Sequence, residues 1–66
     1  MQEIIFEPYR KAAELLNDTK LVWSPDIEAI RQPLAYCLTE CAVQQNLHPY
    51  LLEIAYRLIS EEKQNA

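Results

Sequence analysis

The chain has 66 residues, with six basic and ten acidic side chains for a formal net charge of −4, and half of its residues are apolar. That length allows one domain at most, and a monomer this small buries only about 60% of the surface its unfolded chain exposes, so disulfides, a metal, oligomerisation or a partner usually supplement the core. The apolar content excludes a disordered tail, and the lack of any Lys or Arg between Arg31 and Arg57 withholds the clustered basic face that nucleic acid requires.

No apolar run approaches the roughly 20 residues that cross a bilayer, and the start lacks the charged-then-apolar pattern of a signal peptide. The expectation is a cytoplasmic chain forming one helical domain over residues 1–66, frayed at 1–7 and 64–66. Glycine is absent, and glycine supplies the left-handed backbone of hairpins, bulges and phosphate-cradling loops. Its absence costs a helical fold little. The predicted class is therefore all-α, a small bundle of three to four short helices.

"EIIF", residues 3–6, and "KLVW", residues 20–23, have strand-like composition without clean alternation. They predict a short extended N-terminal segment that can pair as a ribbon. Pro8, Pro25 and Pro49 each precede an amphipathic stretch, and proline suits the first helical position, which places helices at about 8–17, 25–46 and 49–63. Asn17 and Asn46 are the candidates for the left-handed residues that end helices.

In the first helix Tyr9, Ala12, Ala13, Leu15 and Leu16 share one side and Arg10, Lys11, Glu14 and Asp18 the other, the pattern of an ordinary surface helix. "WSPDIE" starts the second, with Ser24 as N-cap, Pro25 first, and Asp26 and Glu28 near the positive end of the helix dipole. Pro33 removes a hydrogen bond and crowds the Ala29 carbonyl, which predicts a kink or break near residues 29–33. In the third helix Tyr50, Leu51, Leu52, Ile54, Ala55, Tyr56, Leu58 and Ile59 cover roughly 240° of the circumference, the pattern of a central helix. Surface ion pairs are expected between Glu7 and Lys11, Glu28 and Arg31, and Glu53 and Arg57.

"CLTECAVQQNLH", residues 37–48, carries both cysteines and the lone histidine. On the helical wheel Cys37 and Cys41 border the stripe of Leu34, Leu38 and Ala42, where a free cysteine acts as a small buried hydrophobe. Four-residue spacing within a helix suits neither a disulfide nor the C-x-x-C redox motif. Structural zinc takes four ligands, so a metal site would need Glu40 or a second chain to complete it. His48 precedes Pro49 and reads as the turn into the third helix.

Catalysis finds no support. Ser24 reads as a cap, Ser60 lies on a polar strip, and a substrate cleft is hard to build at this size, so no catalytic, cofactor or metal residue is assigned. The function expected is a protein–protein interaction module: an obligate oligomer, or a subunit, adaptor or inhibitor of a larger protein. The partner is a protein, most simply a second copy in a dimer, and neither a membrane nor nucleic acid. Tyr36, Val43, Tyr50, Leu52, Tyr56 and Ile59 are the expected interface residues, since tyrosine buries large area while keeping a polar tip and the third helix is too apolar for two others to cover. Two alternatives are a DNA-binding regulator with a helix–turn–helix around residues 34–60, and a metal-dependent dimer through Cys37 and Cys41.

Overall fold

Ser24 stands in extended backbone, with φ −66° and ψ 154°, and its hydroxyl accepts a hydrogen bond from the Ile27 N–H at 3.4 Å. Pro25 follows at the first helical position, and Asp26 and Glu28 occupy the first turn beside the positive end of the dipole. This start opens the second of three helices in the computed structural model, which describes residues 3–65 as α1 (Glu3–Leu16), α2 (Pro25–Gln44) and α3 (Pro49–Asn65). The class is all-α, with no strand among the described residues. Of the two ends expected to fray, residues 1, 2 and 66 lie outside the described residues, while 3–7 and 64–65 are helical.

"EIIF" is therefore helix, not an extended segment, and "KLVW" is irregular chain between α1 and α2. Phe6 and Tyr9, three apart, are both buried with ring centroids 6.3 Å from each other. Helical spacing puts Phe6 on the same face as Tyr9, Ala12, Ala13 and Leu16, so the apolar stripe gains a turn that a strand would have pointed elsewhere. Pro8 consequently lies inside α1 rather than at its start.

Pro33 does not break α2, which runs as one helix from Pro25 to Gln44 and makes the helix count three. Pro33 and Ala29 are both exposed, so the carbonyl deprived of its N–H partner can turn to water instead. The helix ends on Gln45, which adopts left-handed backbone at φ 59° and ψ 43°. The Asn46 N–H then donates back to the Cys41 carbonyl at 3.0 Å, the closure that places the left-handed residue one position earlier. Gln45 thus takes the role expected of Asn46, and Asn17 has no positive φ.

The most buried helix is α1, contrary to the expectation of a surface helix. It contributes Phe6, Tyr9, Ala12, Ala13 and Leu16 to the core, against Leu34, Ala35, Leu38 and Cys41 from α2 and Ala55 and Ile59 from α3. Ala12 is wholly enclosed, and Ala12 and Ala13 leave room for neighbouring backbones to approach. Leu16 and Leu38 are the largest fully enclosed side chains, each worth about 1.5–3 kcal/mol of transfer from water. The expected centre, α3, lies to one side: Leu51, Leu52, Ile54 and Leu58 pack against the core while staying partly exposed. A wide apolar arc on α3 shows how much it covers, and centrality falls to the helix with small residues.

Three polar ties fix the helices to one another. The Arg31 guanidinium donates to the Leu16 carbonyl at 2.9 Å, closing the C-terminal end of α1, whose last turn holds no basic residue. The His48 N–H donates to the Tyr9 hydroxyl at 2.9 Å. The Tyr56 hydroxyl donates to the Pro8 carbonyl at 3.4 Å. His48 also opens α3, its carbonyl accepting from the N–H groups of Leu51 and Leu52 at 3.0 and 3.3 Å, which is the turn role expected of it.

Candidate functional site

The cysteine stretch divides. Cys41 is buried in the core and Cys37 is exposed, so only one of the pair fits the expectation of a buried hydrophobe. The four-residue spacing advances the helix by about 400°, enough to carry a side chain at the border of the stripe from outside to inside. Burial pushes the Cys41 thiol above its usual range, with the nearby Cys37 and Glu40 adding to the effect. A thiol held protonated is a poor nucleophile and a poor metal ligand. Among the described residues no three of His, Cys, Asp and Glu come together to hold a metal ion. A metal shared between copies through both sulfurs would need Cys41 at the surface, where it is not.

Between the start of α2 and the end of α3 lies an open cleft lined by Ile27, Glu61, Glu62 and Gln64. It combines carboxylates and an amide with no neighbouring cation or nucleophile in its lining. The outward side of α3 carries Glu53, Arg57, Ser60, Glu61 and Lys63, and Arg57 lies 3.4 Å from Glu53 as the sequence implies. A groove-reading helix needs basic and amide side chains free to meet phosphate and base edges. Here acids alternate with the bases. On α1, Glu7 pairs with Arg10 at 3.6 Å instead of the expected Lys11.

Arg31 forms the tightest polar cluster. Its guanidinium grips both Glu28 carboxylate oxygens, with 3.1 Å from Nε to each, and stands 6.0 Å from the centroid of the Trp23 ring. The pair holds the Glu28 carboxyl below its ordinary value and raises that of Arg31, hydrogen bonding being the main cause in both. Trp23 Nε1 is buried there without a hydrogen-bond partner among the described residues. The cluster's polar groups face one another and the end of α1, which marks it as a structural joint.

The outer side of α2 is different. Advancing 100° per residue, Leu34, Ala35, Leu38 and Cys41 turn inward, Ile30 and Cys37 fall at the border of that stripe, and Ala29, Gln32, Pro33, Tyr36, Glu40 and Val43 turn outward. The outer side mixes Ala29, Pro33, Tyr36 and Val43 with the polar Gln32 and Glu40. Ile30 is 51% exposed, Tyr36 67% and Val43 71%, while Val22 and Leu47 flank the helix at 78% and 59%. No basic residue interrupts this face.

The six expected interface residues do not form one surface. Tyr36 and Val43 share the outer face of α2, while Tyr50 is exposed in the first turn of α3 and Tyr56 is at the edge of exposure. Leu52 is partly buried and packs against the core. Ile59 lies inside it at 3% exposure, because α1 and α2 already cover that side of α3. Ile30, Val22 and Leu47 are exposed and were missing from the expectation; the wheel places Ile30 near Leu34 and Cys41, about 120° from Tyr36.

Comparison of the chain with protein-family models, curated proteins and solved structures found no match in any of the three. Among the described residues no helix is long and apolar enough to cross a membrane.

Proposed function

We propose that the chain is a small acidic helical interaction module of the cytoplasm that self-associates, most simply as a two-fold dimer, and acts by binding rather than by catalysis. The observation that carries this reading is the outer face of α2, where Tyr36 and Val43 stand in water on a helix whose other side is core. Exposed apolar surface rimmed by polar residues is the usual mark of a protein-binding site, and closed two-fold symmetry is the commonest arrangement of soluble oligomers. Size supports it too, since a chain of 66 residues has little core with which to stand alone. The same face would serve a subunit, adaptor or inhibitor of a larger protein.

Sedimentation equilibrium over a hundredfold concentration range tests the reading. Self-association gives a mass that rises with concentration and an unfolding midpoint that follows it. A single 7.7 kDa species throughout, with a constant midpoint, would refute it.

A further inference from the structure

We propose that the cleft between the start of α2 and the end of α3 binds a primary alkylammonium group, the group carried by a lysine side chain or by a free polyamine. This site goes beyond the self-association reading above and shares no residue with the outer face of α2. It is lined by Ile27, Glu61, Glu62 and Gln64, and its volume of about 360 Å³ lies within the range of small-ligand pockets.

Glu62 is the residue that sets this cleft apart. Among the described residues it is the one charged side chain that is buried, at 5% exposure, while its neighbour Glu61 is exposed. None of the hydrogen bonds and ion pairs among the described residues involves it. A carboxylate withdrawn from water is ordinarily met by a partner, because an unpaired buried charge is costly. The chain offers none at this place. Arg31, one turn beyond Ile27, is engaged by Glu28 and the Leu16 carbonyl. Lys63 is exposed and lies about 100° around α3 from Glu62. The start of α2 has few donors to give, since Pro25 has no N–H and Ser24 accepts from the N–H groups of Ile27 and Glu28.

The chemistry of the lining selects the ligand. Glu61 and Glu62 stand near the C-terminal end of α3, the negative end of its dipole, which favours a cation there. A divalent metal needs more ligands than the cleft holds, and among the described residues no three of His, Cys, Asp and Glu come together. An ammonium carries three N–H donors, and the lining offers three acceptors in the carboxylates of Glu61 and Glu62 and the Gln64 amide oxygen. A guanidinium spreads its donors in one plane, whereas acceptors spaced around a helical turn suit a point charge. Ile27 supplies an apolar wall for the alkyl stem.

Titration of the full chain with n-butylammonium chloride at constant ionic strength, followed by amide and side-chain NMR shifts, tests the site. Saturable shifts at Ile27, Glu61, Glu62 and Gln64 are expected, with a dissociation constant in the millimolar range. n-Butyltrimethylammonium has the same charge and no N–H, and should bind at least about fivefold more weakly. Glu62→Gln keeps the shape and removes the charge, and should weaken n-butylammonium binding at least about tenfold. Glu14→Gln makes the same change in net charge on the outer side of α1 and should leave binding unaltered. Circular dichroism checks that Glu62→Gln is folded, and Glu61→Gln, at an exposed position that leaves the fold in place, should by itself weaken binding about threefold. Shifts that spread over the acidic surface without saturating, equal binding of the two ions, or unaltered binding in the Glu61 and Glu62 variants would each overturn the proposal. Putrescine and Nα-acetyl-lysine methylamide distinguish the source, tighter binding of the first assigning the site to a free polyamine and of the second to a lysine side chain.

Discussion

Replacing Arg31 by Met removes the guanidinium and keeps most of the aliphatic stem, which isolates its polar role. The side chain is 15% exposed, and it supplies the Leu16 carbonyl with a donor at the C-terminal end of α1. Leu16 is fully enclosed, so water has poor access to that carbonyl once the donor is gone. Loss of a hydrogen bond to a charged donor costs about 1.5–3 kcal/mol, and loss of a cation at the negative end of a helix dipole adds about 0.3–1 kcal/mol. Compensation by local relaxation brings the expected cost to about 2 kcal/mol. A chain of 66 residues has a total stability of about 3–10 kcal/mol, so this is a large share of it. In a thermal melt followed by circular dichroism at fixed protein concentration, the midpoint should fall by about 8–16 °C. Arg57→Met is the control, because Arg57 and Glu53 are 71% and 72% exposed and such pairs contribute at most about 0.5 kcal/mol. Equal effects of the two substitutions would refute the claim that Arg31 joins α1 to α2.

Further outcomes follow from other contacts. Gln45→Gly should raise stability by about 1 kcal/mol in urea unfolding, since glycine takes φ 59° without the Cβ penalty. Tyr9→Phe should cost about 1 kcal/mol by stranding the His48 N–H, whereas His48→Ala should change neither stability nor association, because only its backbone is engaged. At a dilution where the chain is monomeric, iodoacetamide should alkylate exposed Cys37 well before buried Cys41, as read by mass spectrometry of the folded protein. The Cys41 thiol is raised in the folded state, so folding binds the proton more tightly than the unfolded chain does; stability should be level below the ordinary thiol range and decline as pH rises through and above it.

Local chemistry made much of the fold legible. Ser24 followed by Pro25 and two acids identifies the start of α2, and Pro49 that of α3, because caps and fixed φ act within a few residues. The start of α1 was hidden by Pro8, which reads as a first helical residue and lies instead in the second turn. Only the packing of Phe6 beside Tyr9 shows why the helix extends back to Glu3. The rank of the helices was hidden as well. The apolar arc of α3 is wide, but depth depends on which helix lets two neighbours approach, and Ala12 and Ala13 give that place to α1. The Glu28–Arg31 pair was readable from its spacing, while the Arg31 bond to Leu16 joins residues 15 apart and exists only once the helices pack. On the candidate surface, Tyr36 and Val43 were readable from the wheel, whereas the loss of Ile59 to the core depended on tertiary packing.

The central claim is that the outer face of α2 is a docking surface for a second copy. A dilution series followed by amide and side-chain NMR shifts tests it most directly, since shifts report residue by residue which surface changes its neighbours. Concentration-dependent shifts are expected at Tyr36 and Val43, with none at the exposed Arg10, Lys11 and Glu14 on the outer side of α1. Spectra that do not change with concentration, or shifts confined to α1 or to the Glu53–Arg57 side of α3, would contradict it.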